Sequence, residues 1–501
     1  MNEFMTVAAE LLADPAMLAV GVFATLIGII LGALPGISST MTLAVLLPFS
    51  FSMTPHVAML FLIGAFYGSV YGGSISAILL NIPGTPGSMV TQLDGYPLAR
   101  KGEAGKALMY ALLASTFGGV LGWLSLFLLA PPLAKAAFAF QSPEYAVVMV
   151  FGLSMLAYAS PVSTFLGVLS GIFGLLLGTV GLDTVTNLSR FDFGISSLQA
   201  GINIVPFAVG IFGLGEILRL IETPISTERA TTKIASMWPK LWDVLRLWAT
   251  AVRAGIVGVI VGIIPAAGSA VAVSMSYAQE KKLYEKKETF GDGNPRGIVA
   301  AETGNNSAVG GALIPLLTLG IPGDTMTAVL VGALLIHGLQ PGPQLFTEHQ
   351  DFIAAIYVAL ALTVVVTFIL AVPLMRVFAR LLSAKPRLLY VAVLILCVAG
   401  SFAVQNSYFD VVLMIVFGAV GYFFIKLGIP PAPMMFGLVL GPLLEENLRR
   451  TLIVYDSWSV FFTRPICVAM LIITAAFLLY PLLSMLRGTR ALNPVRIPSQ
   501  G

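Results

Sequence analysis

Apolar segments of about 20 residues recur along nearly the whole chain, and they constrain its fold more than any other feature. Of the 501 residues, 57% are hydrophobic and only 10% are charged, and the mean hydropathy is +0.94. A soluble domain carries roughly 25% charged residues. In lipid, only helices and closed barrels satisfy their own backbone groups, and segments of this length favour helices. The sequence therefore predicts an all-α, polytopic integral membrane protein with roughly ten to twelve crossings and shorter re-entrant pieces.

One apolar segment is broken near its middle, in the sequence YGGSISAILLNIPGTPGSMVTQLD at residues 71–94. The IPGTPG stretch prevents a continuous helix, because proline lacks a backbone donor and glycine adopts almost any backbone angle. The pattern returns at residues 310–331, GGALIPLLTLGIPGDTMTAVLV. Irregular backbone at membrane depth is tolerated only where protein buries it or where it lines a cavity. A doubled broken helix indicates the central site of a transporter.

Internal matches divide the chain into two halves. GALPGISS at 32–39 matches GIIPAAGS at 262–269, and NIPGT at 81–85 matches GIPGD at 320–324. Two weaker matches follow in the same order, SPEY with KPRL and GLGEIL with GPLLEENL. The predicted domains are a first transmembrane repeat at 17–221, a cytoplasmic connector at 222–246, a second transmembrane repeat at 247–450, and an extra C-terminal helix with a basic cytoplasmic tail at 451–501.

The distribution of lysine and arginine predicts that the two repeats have inverted topologies. The loop at 100–106 is basic, whereas its counterpart at 340–351 has acids and no Lys or Arg. The loop at 376–387 is basic, whereas its counterpart at 135–144 is nearly uncharged. Because basic loops stay in the cytoplasm, corresponding loops are expected on opposite sides of the membrane. The N-terminus is then expected to be periplasmic and the C-terminus cytoplasmic, and Arg449 and Arg450 are expected on the outer side, against the rule.

The breaks offer an anion site made of helix ends. No Lys or Arg occurs from residue 1 to 99 or from 297 to 375, and both broken segments lie in these gaps. A helix that restarts after a break presents free amide donors and a positive dipole end. The candidate substrate-binding residues lie at four such restarts and on the polar segment AAETGNNSAVGG: Gly36, Ser38, Ser39, Thr40, Asn81, Pro83, Gly84, Thr85, Gly87, Ser88, Gly268, Ser269, Asn305, Asn306, Gly323 and Thr325.

The free carbonyls at the ends of the preceding half-helices offer ligands for a coupling cation, Na⁺ or H⁺. Asp324 is the one ionisable residue in the second break, and intramembrane acids are expensive enough to indicate function. The candidate ion-coupling residues are Asp324, Asn81 and Asn306. A competing interpretation is that Asp324 only caps the restarting helix. Glu302 is expected at the membrane interface, and the charged run at 280–296 is expected to be a solvated cytoplasmic loop.

The chain resembles the large membrane subunit of the tripartite tricarboxylate transporters in three stretches: GALPGISSTMTLAVLLPFSF, YGSVYGGSISAILLNIPGTPGSMVTQLDGYPLARKGEAGKAL and AAETGNNSAVGGALIPLLTLGIPGDTMTAVLVGALLIHGLQPGP. The resemblance runs to about residue 450. It implies a secondary transporter of the bacterial inner membrane that imports carboxylates, of tricarboxylate or dicarboxylate type, on an ion gradient that is often sodium. It also implies two partners, a small membrane subunit and a periplasmic solute-binding protein.

Two other classes of function compete with this interpretation. A passive anion channel would also use inverted repeats and helix-end dipoles, and gradient-independent flux would distinguish it. A membrane-embedded enzyme is not expected, because no HExxH, GxSxG or Walker-type motif occurs in the sequence. We expect no cofactor beyond a coupling ion, no metal site and no nucleic-acid partner.

Overall fold

The computed structural model describes residues 2–156, 164–183, 186–222, 237–265, 267–381 and 386–486. Most of the predicted connector, at 223–236, and the basic tail at 487–501 lie outside the described residues. The first part of the chain forms α1 (Asn2–Ala13), α2 (Pro15–Ala33), α3 (Ser39–Ser50), α4 (Pro55–Leu80), α5 (Thr91–Leu98), α6 (Ala104–Ala137), α7 (Ser142–Leu156) and α8 (Thr164–Gly178), followed by a two-stranded antiparallel sheet of β1 (Gly181–Leu182) and β2 (Ser189–Arg190).

The rest of the described chain is helical. It forms α9 (Ile204–Ala208), α10 (Gly215–Glu222), α11 (Leu241–Leu245), α12 (Trp248–Ile263), α13 (Gly268–Tyr284), α14 (Pro295–Leu319), α15 (Thr325–Ile336), α16 (Leu345–Glu348), α17 (Gln350–Leu381), α18 (Pro386–Gln405), α19 (Tyr408–Lys426), α20 (Ala432–Tyr455), α21 (Val460–Thr463) and α22 (Pro465–Leu486). Short 3₁₀ and π turns occupy Pro86–Met89, Ala99–Glu103, Ser196–Leu198 and Val209–Leu214.

Six helices among the described residues are long and apolar enough to cross a membrane: Pro15–Ala33, Pro55–Leu80, Thr91–Ala137, Ile204–Glu222, Gln350–Phe378 and Tyr408–Lys426. Shorter apolar helices accompany them, among them Ser39–Ser50 and Thr325–Ile336. The predicted class, an all-α multi-pass membrane protein, is confirmed. The number of crossings stays a prediction.

The chain packs into two compact units. The larger consists of Met1–Ala137 and Asn203–Leu427, and it contains every candidate site residue. The smaller consists of Phe138–Ile202 and Gly428–Gly501. Each unit therefore draws segments from both of the halves that the sequence predicts.

Glycines bring two pairs of helices into backbone contact in the larger unit. A Cβ built on Gly28 of α2 would lie 2.9 Å from the Cα of Ala65 in α4, and one on Gly32 would lie 2.7 Å from the Cα of Ser69. Because both contacts advance four residues in the same sense, α2 and α4 are parallel. Small residues at such interfaces are the usual route to close helix packing within membranes.

The α12 and α14 helices pack in the same way. A Cβ on Gly258 would lie 3.0 Å from the Cα of Gly304, and one on Gly262 would lie 3.1 Å from the Cα of Ala308. These helices are therefore parallel as well. The short helices that follow, α3 after α2 and α13 after α12, turn back at Gly36 and Gly268.

The α6 helix belongs with the second pair. A Cβ on Gly118 would lie 3.0 Å from the Cα of Thr303 in α14, and one on Gly122 would lie 3.2 Å from the Cα of Ser307. The constant offset shows that α6 runs parallel to α14.

The α17 helix belongs with the first pair. Trp123 of α6 donates to the carbonyl of Tyr357 in α17 at 3.0 Å, whereas Gly119, one turn earlier, faces Val364, one to two turns later. The α6 and α17 helices are therefore antiparallel. The starts of α4 and α17 also meet, because His56 hydrogen-bonds to Asp351, so these two helices are parallel. The α2, α4 and α17 helices therefore run in one direction, and the α6, α12 and α14 helices run in the other.

An ion-pair cluster in the smaller unit contains Arg449, one of the two arginines that the sequence predicts on the outer side. The guanidinium of Arg449 lies 2.7 Å from Asp183 and 2.7 Å from Glu445, and Arg190 lies 2.7 Å from Glu445. Two acids thus balance two bases, and the charge of Arg449 is neutralised locally.

Candidate functional site

The first break separates α4 from a 3₁₀ turn. Asn81 ends α4 in the left-handed conformation, at φ 58°, and the turn begins at Pro86. A capping box closes it: the Ser88 amide donates to Thr85 Oγ1 at 3.3 Å, and the Thr85 amide donates to Ser88 Oγ at 3.1 Å. The two hydroxyls predicted to serve a ligand are therefore engaged by the backbone.

The second break separates α14 from α15 and uses the same device. Gly320 ends α14 at φ 72°. The Thr327 amide donates to Asp324 Oδ1 at 2.8 Å, and the Asp324 amide donates to Thr327 Oγ1 at 2.8 Å. The carboxyl of Asp324, only 5% exposed, is thus the N-cap of α15. A cap at this position is the competing interpretation of Asp324, and an ion-coupling role stays a prediction.

Both breaks press against the backbone of a neighbouring helix. A Cβ on Gly84 would lie 2.9 Å from the Cα of Gly73 and would overlap the carbonyl oxygen of Gly32. A Cβ on Gly323 would lie 2.7 Å from the Cα of Ala312 and 2.8 Å from the carbonyl oxygen of Gly262. The close approach requires glycine at both breaks, since any side chain would overlap backbone atoms that cannot move aside.

Three helix N-termini meet between these breaks. The hydroxyls of Thr40, in the first turn of α3, and Thr325, the first residue of α15, lie 2.8 Å apart. Gly268 starts α13 at φ 67°, and a Cβ built on it would lie 3.8 Å from Asp324 Cβ. The N-termini of α3, α13 and α15 therefore converge.

Anion binding at this convergence stays a prediction. Each N-terminus carries the positive end of a helix dipole, and Asp324 accepts from one of the amides of α15. Ser38 uses its hydroxyl to cap α3, accepting from the Met41 amide at 3.1 Å. Ser39 Oγ is buried and hydrogen-bonds to no described residue, and Ser269 is also buried. Ser39 is therefore a hydroxyl that remains available to a ligand.

The polar segment of α14 faces the first break. A Cβ on Gly87 would lie 2.8 Å from Asn305 Cγ, so the Asn305 amide covers this glycine. Asn305 is 1% exposed, and its Nδ2 has no hydrogen-bond partner in the part of the chain that the structure describes. Asn81, by contrast, is exposed and Pro83 is half-buried. The structure thus brings Asn305 to the buried side of the break and leaves Asn81 on its accessible side.

Glu302 is the centre of a buried polar network that the sequence interpretation missed. It is 0% exposed and therefore buried inside the protein, and its depth relative to the membrane interface stays a prediction. Thr91 Oγ1 donates to Glu302 Oε1 at 2.5 Å, and Ser115 Oγ donates to Oε2 at 2.8 Å. Asn306 Nδ2 donates to the Glu302 carbonyl at 3.0 Å. An acid within a long stretch that lacks Lys and Arg is the sequence signal that could have revealed it.

Asp94 joins α5 to the segment between α13 and α14. Its Oδ1 accepts from the amides of Gly291, Gly293 and Asn294 at 2.8 to 3.0 Å, and its Oδ2 accepts from the hydroxyl of Tyr277 at 2.8 Å. The carboxyl is therefore fully used in holding the chain that follows the first break against that segment.

The charged run at 280–296 is not simply a solvated loop, contrary to expectation. Glu280 is 1% exposed within α13 and pairs with Arg253 of α12 at 2.6 Å. Arg296 is 9% exposed and hydrogen-bonds to Glu288 at 2.9 Å, which lowers the pKa of the Glu288 carboxyl. Ion pairs thus bury both ends of the run, because the helices α13 and α14 extend into it.

Apolar helices, two broken helices and converging helix N-termini define a polytopic membrane protein. The chain belongs to the tripartite tricarboxylate transporter TctA family, whose family model matches residues 18–436. It is therefore a membrane component of a transporter, and this family is one of transporter subunits rather than enzymes.

The chain is similar to two proteins from Agrobacterium vitis. The chain is 39% identical over 469 residues to the "Uncharacterized 52.8 kDa protein in TAR-I ttuC' 3'region", which covers 93% of each chain. It is 36% identical over 234 residues to the "Uncharacterized protein in TAR-II ttuC' 3'region", which covers 46% of this chain and 97% of the relative. No solved structure gives a significant match.

Proposed function

We propose that this protein imports organic carboxylates, of the tricarboxylate or dicarboxylate type, across the bacterial inner membrane by secondary active transport. It works with a small membrane subunit and is supplied by a periplasmic solute-binding protein. The observation that carries the proposal is the convergence of three helix N-termini at Thr40, Gly268 and Thr325. Helix N-termini suit carboxylates, because they offer amide donors and positive dipole ends without basic side chains.

The substrate site consists of these N-termini and the buried side of the first break. Ser39 and Asn305 contribute the side-chain donors that have no described partner. Thr40 and Thr325 bond to one another, so one of their two hydroxyl hydrogens stays free for a substrate oxygen. Glycine at 84 and 323 keeps the backbone of both breaks close to these donors.

Transport is coupled to a cation gradient, of Na⁺ or H⁺. The candidate ion-coupling residues are Asp324 and Asn81, at the breaks, and Asn306, within α14. Support for Asp324 is its burial as a carboxyl beside the converging N-termini. A bound cation would offset the substrate's negative charge within the membrane, where an unpaired charge is costly.

Two inverted repeats allow the site to face each side of the membrane in turn. The opposite directions of α4 and α14 support this organisation, because these helices carry the matching breaks. A reporter inserted after Lys106 should be cytoplasmic and one near Glu348 periplasmic. If both reporters lie on the same side, the inverted repeats are contradicted. The predicted orientation, with a periplasmic N-terminus and a cytoplasmic C-terminus, is contradicted as well.

Reconstituted transport tests the function directly. The complete transporter, with its small subunit and solute-binding protein, is placed in proteoliposomes and offered radiolabelled citrate, succinate or malate. Accumulation that disappears when the ion gradients are collapsed supports secondary transport. If the flux instead does not saturate with substrate concentration and does not depend on the ion gradients, the protein is a passive anion channel. Thermal shifts of the solute-binding protein with the same acids identify which substrate it delivers.

A further inference from the structure

The carboxylate of Glu302 is buried without a compensating charge. It is 0% exposed in α14, and no Lys or Arg lies within 4.0 Å of it among the described residues. Its donors are the neutral hydroxyls of Thr91 and Ser115. Burying an ionised carboxylate without a cation is unfavourable, because neutral hydrogen bonds alone do not offset the free energy of removing the charge from water. The carboxyl group is therefore expected either to bind a cation or to carry a proton.

Two hydroxyl oxygens contact this carboxylate, and two further buried oxygens on the neighbouring residues of α14 and α4 are unused. Asn306, one turn along α14, bonds to Glu302 through its Nδ2, whereas its Oδ1 is buried and accepts from no described residue. The hydroxyl of Tyr71 on α4 is also buried without a described partner. A carboxylate, hydroxyls and an amide oxygen form the kind of ligand set that hard cations prefer.

The positive groups on α12 and on α14 itself are paired with other acids, Arg253 with Glu280 and Arg296 with Glu288. On α4 the ionisable groups are Tyr67 and Tyr71, and Tyr67 donates to the Ser115 carbonyl at 2.6 Å. On α5, Asp94 bonds to backbone amides and to Tyr277 of α13. The acid of the first pair, Glu280, lies on α13, and Asp324 caps α15. No ionisable residue lies on the 3₁₀ turn Pro86–Met89, and α6 faces Glu302 with Ser115.

We propose that Glu302, with Thr91, Ser115 and Asn306, forms the site for the coupling cation, which takes Na⁺ or H⁺. This inference rests on the proposed function, since it locates the ion that drives transport. It differs from the sites at the breaks, because Glu302 lies within an unbroken helix. Na⁺ is bound by the side-chain oxygens, whereas H⁺ converts the carboxylate into a carboxylic acid; either one neutralises the buried charge.

The position of this site explains how the cation would be linked to the substrate. Thr91 is the first residue of α5, directly after the 3₁₀ turn of the first break. Asn305, next to Asn306, covers Gly87 of that turn. A cation held between Glu302, Thr91 and Asn306 therefore fixes the first break against α14, and substrate at the break fixes the same contacts. By reciprocity, each ligand raises the affinity for the other.

The experiment compares the Glu302→Gln protein with wild type in the reconstituted complete transporter. Imposed Na⁺ and pH gradients are varied separately, and the probe is whichever of citrate, succinate and malate the wild type accumulates most. The ion that drives wild-type accumulation identifies the cation. We expect Glu302→Gln to lower accumulation at least tenfold and to lose the dependence on that ion. Exchange of labelled for unlabelled substrate, which needs no net ion movement, should continue.

Asp410→Asn is the matched control, because Asp410 is another buried carboxyl, 3% exposed, on α19. It should retain the ion dependence. If Glu302→Gln keeps the wild-type dependence on both gradients, or if Asp410→Asn loses it equally, the Glu302 proposal is overturned. If the wild type accumulates no acid under any gradient, the proposed transport function fails instead.

A second measurement applies even if Glu302→Gln does not fold. Thr91→Val removes one hydroxyl ligand and preserves the side-chain shape. We expect the ion concentration for half-maximal uptake to rise severalfold, with little change in the maximal rate. If only the maximal rate falls, Thr91 has a merely structural role, and its place in the cation site is rejected.

Discussion

The two breaks share one backbone design and differ in charge. Thr85 and Ser88 close the first break with the same reciprocal bonds that Asp324 and Thr327 make at the second. The first restarts as a four-residue 3₁₀ turn whose opening proline has no amide hydrogen, whereas the second restarts as the 12-residue helix α15. Because the neutral Thr85 caps the first break, a break of this kind does not need a charged cap. The charge of Asp324 at the second break therefore has to be tested separately.

The largest effect should come from removing the feature that the breaks share. Gly84→Ala and Gly323→Ala each place a Cβ within 3.0 Å of backbone atoms. Overpacking of this kind costs about 1–3 kcal/mol or more, and here it displaces the site itself. We expect both variants to insert into the membrane and to lose nearly all uptake.

Gly171→Ala is the control for these two variants. It also lies in an apolar helix, but its Cβ would be 3.8 Å from its nearest neighbour. Its uptake should match wild type. Normal uptake by a well-expressed Gly84→Ala protein with loss in Gly323→Ala would show that only the second break forms the site.

The next effect tests the charge by which the breaks differ. Asp324→Asn keeps an N-cap acceptor and removes the charge, because Asn caps helices as well as Asp. If Asp324 contributes to ion coupling, the ion concentration for half-maximal uptake should rise severalfold while substrate affinity changes little. Uptake is measured against Na⁺ and against pH. Unchanged curves on both axes would leave Asp324 as a cap alone and make the two breaks equivalent.

A smaller effect measures the caps themselves. Thr85→Ala and Asp324→Ala each remove the acceptor of one capping box, which should lower the free energy of unfolding by about 1 kcal/mol. Thermal unfolding in detergent, compared with Ser407→Ala at the half-buried N-cap of α19, provides the measurement. We expect similar losses at both breaks. A much greater loss at Asp324 would indicate that its charge also stabilises the resting protein.

The smallest effect concerns the contact between the two halves of the site. The hydroxyls of Thr40 and Thr325 should contribute about 0.5–1.5 kcal/mol through their hydrogen bond. Thr40→Val, Thr325→Val and the double variant form a thermodynamic cycle whose coupling energy is read from unfolding. Strict additivity would mean that the bond contributes nothing in the membrane.

The sequence predicted the features that depend on neighbouring residues. Proline and glycine interrupt helices wherever they stand, so the breaks near Gly84 and Gly323 could be read directly. The use of Thr85 and Ser88 as caps was also within reach, because a hydroxyl residue three positions before another is a capping pattern. Their assignment to a ligand overlooked that local competition for the hydroxyls.

The network around Glu302 could not be predicted in the same way. Thr91 is separated from Glu302 by 211 residues and Ser115 by 187, so only the packing of α5, α6 and α14 brings them together. The burial of Glu302 follows from close glycine contacts on several sides of α14. Helix periodicity alone does not reveal such contacts when nearly every face is apolar.

The bonds of Asp94 have a consequence for the order in which the protein is made. Its backbone donors, at Gly291, Gly293 and Asn294, are translated about 200 residues after it. When the nascent chain has reached residue 222, Asp94 is already synthesised but its backbone donors have not yet been translated. We therefore expect that residues 1–222 alone leave Asp94 without these donors. If the gene is split after this point, the two pieces should form a stable product only when both are synthesised in the same cell.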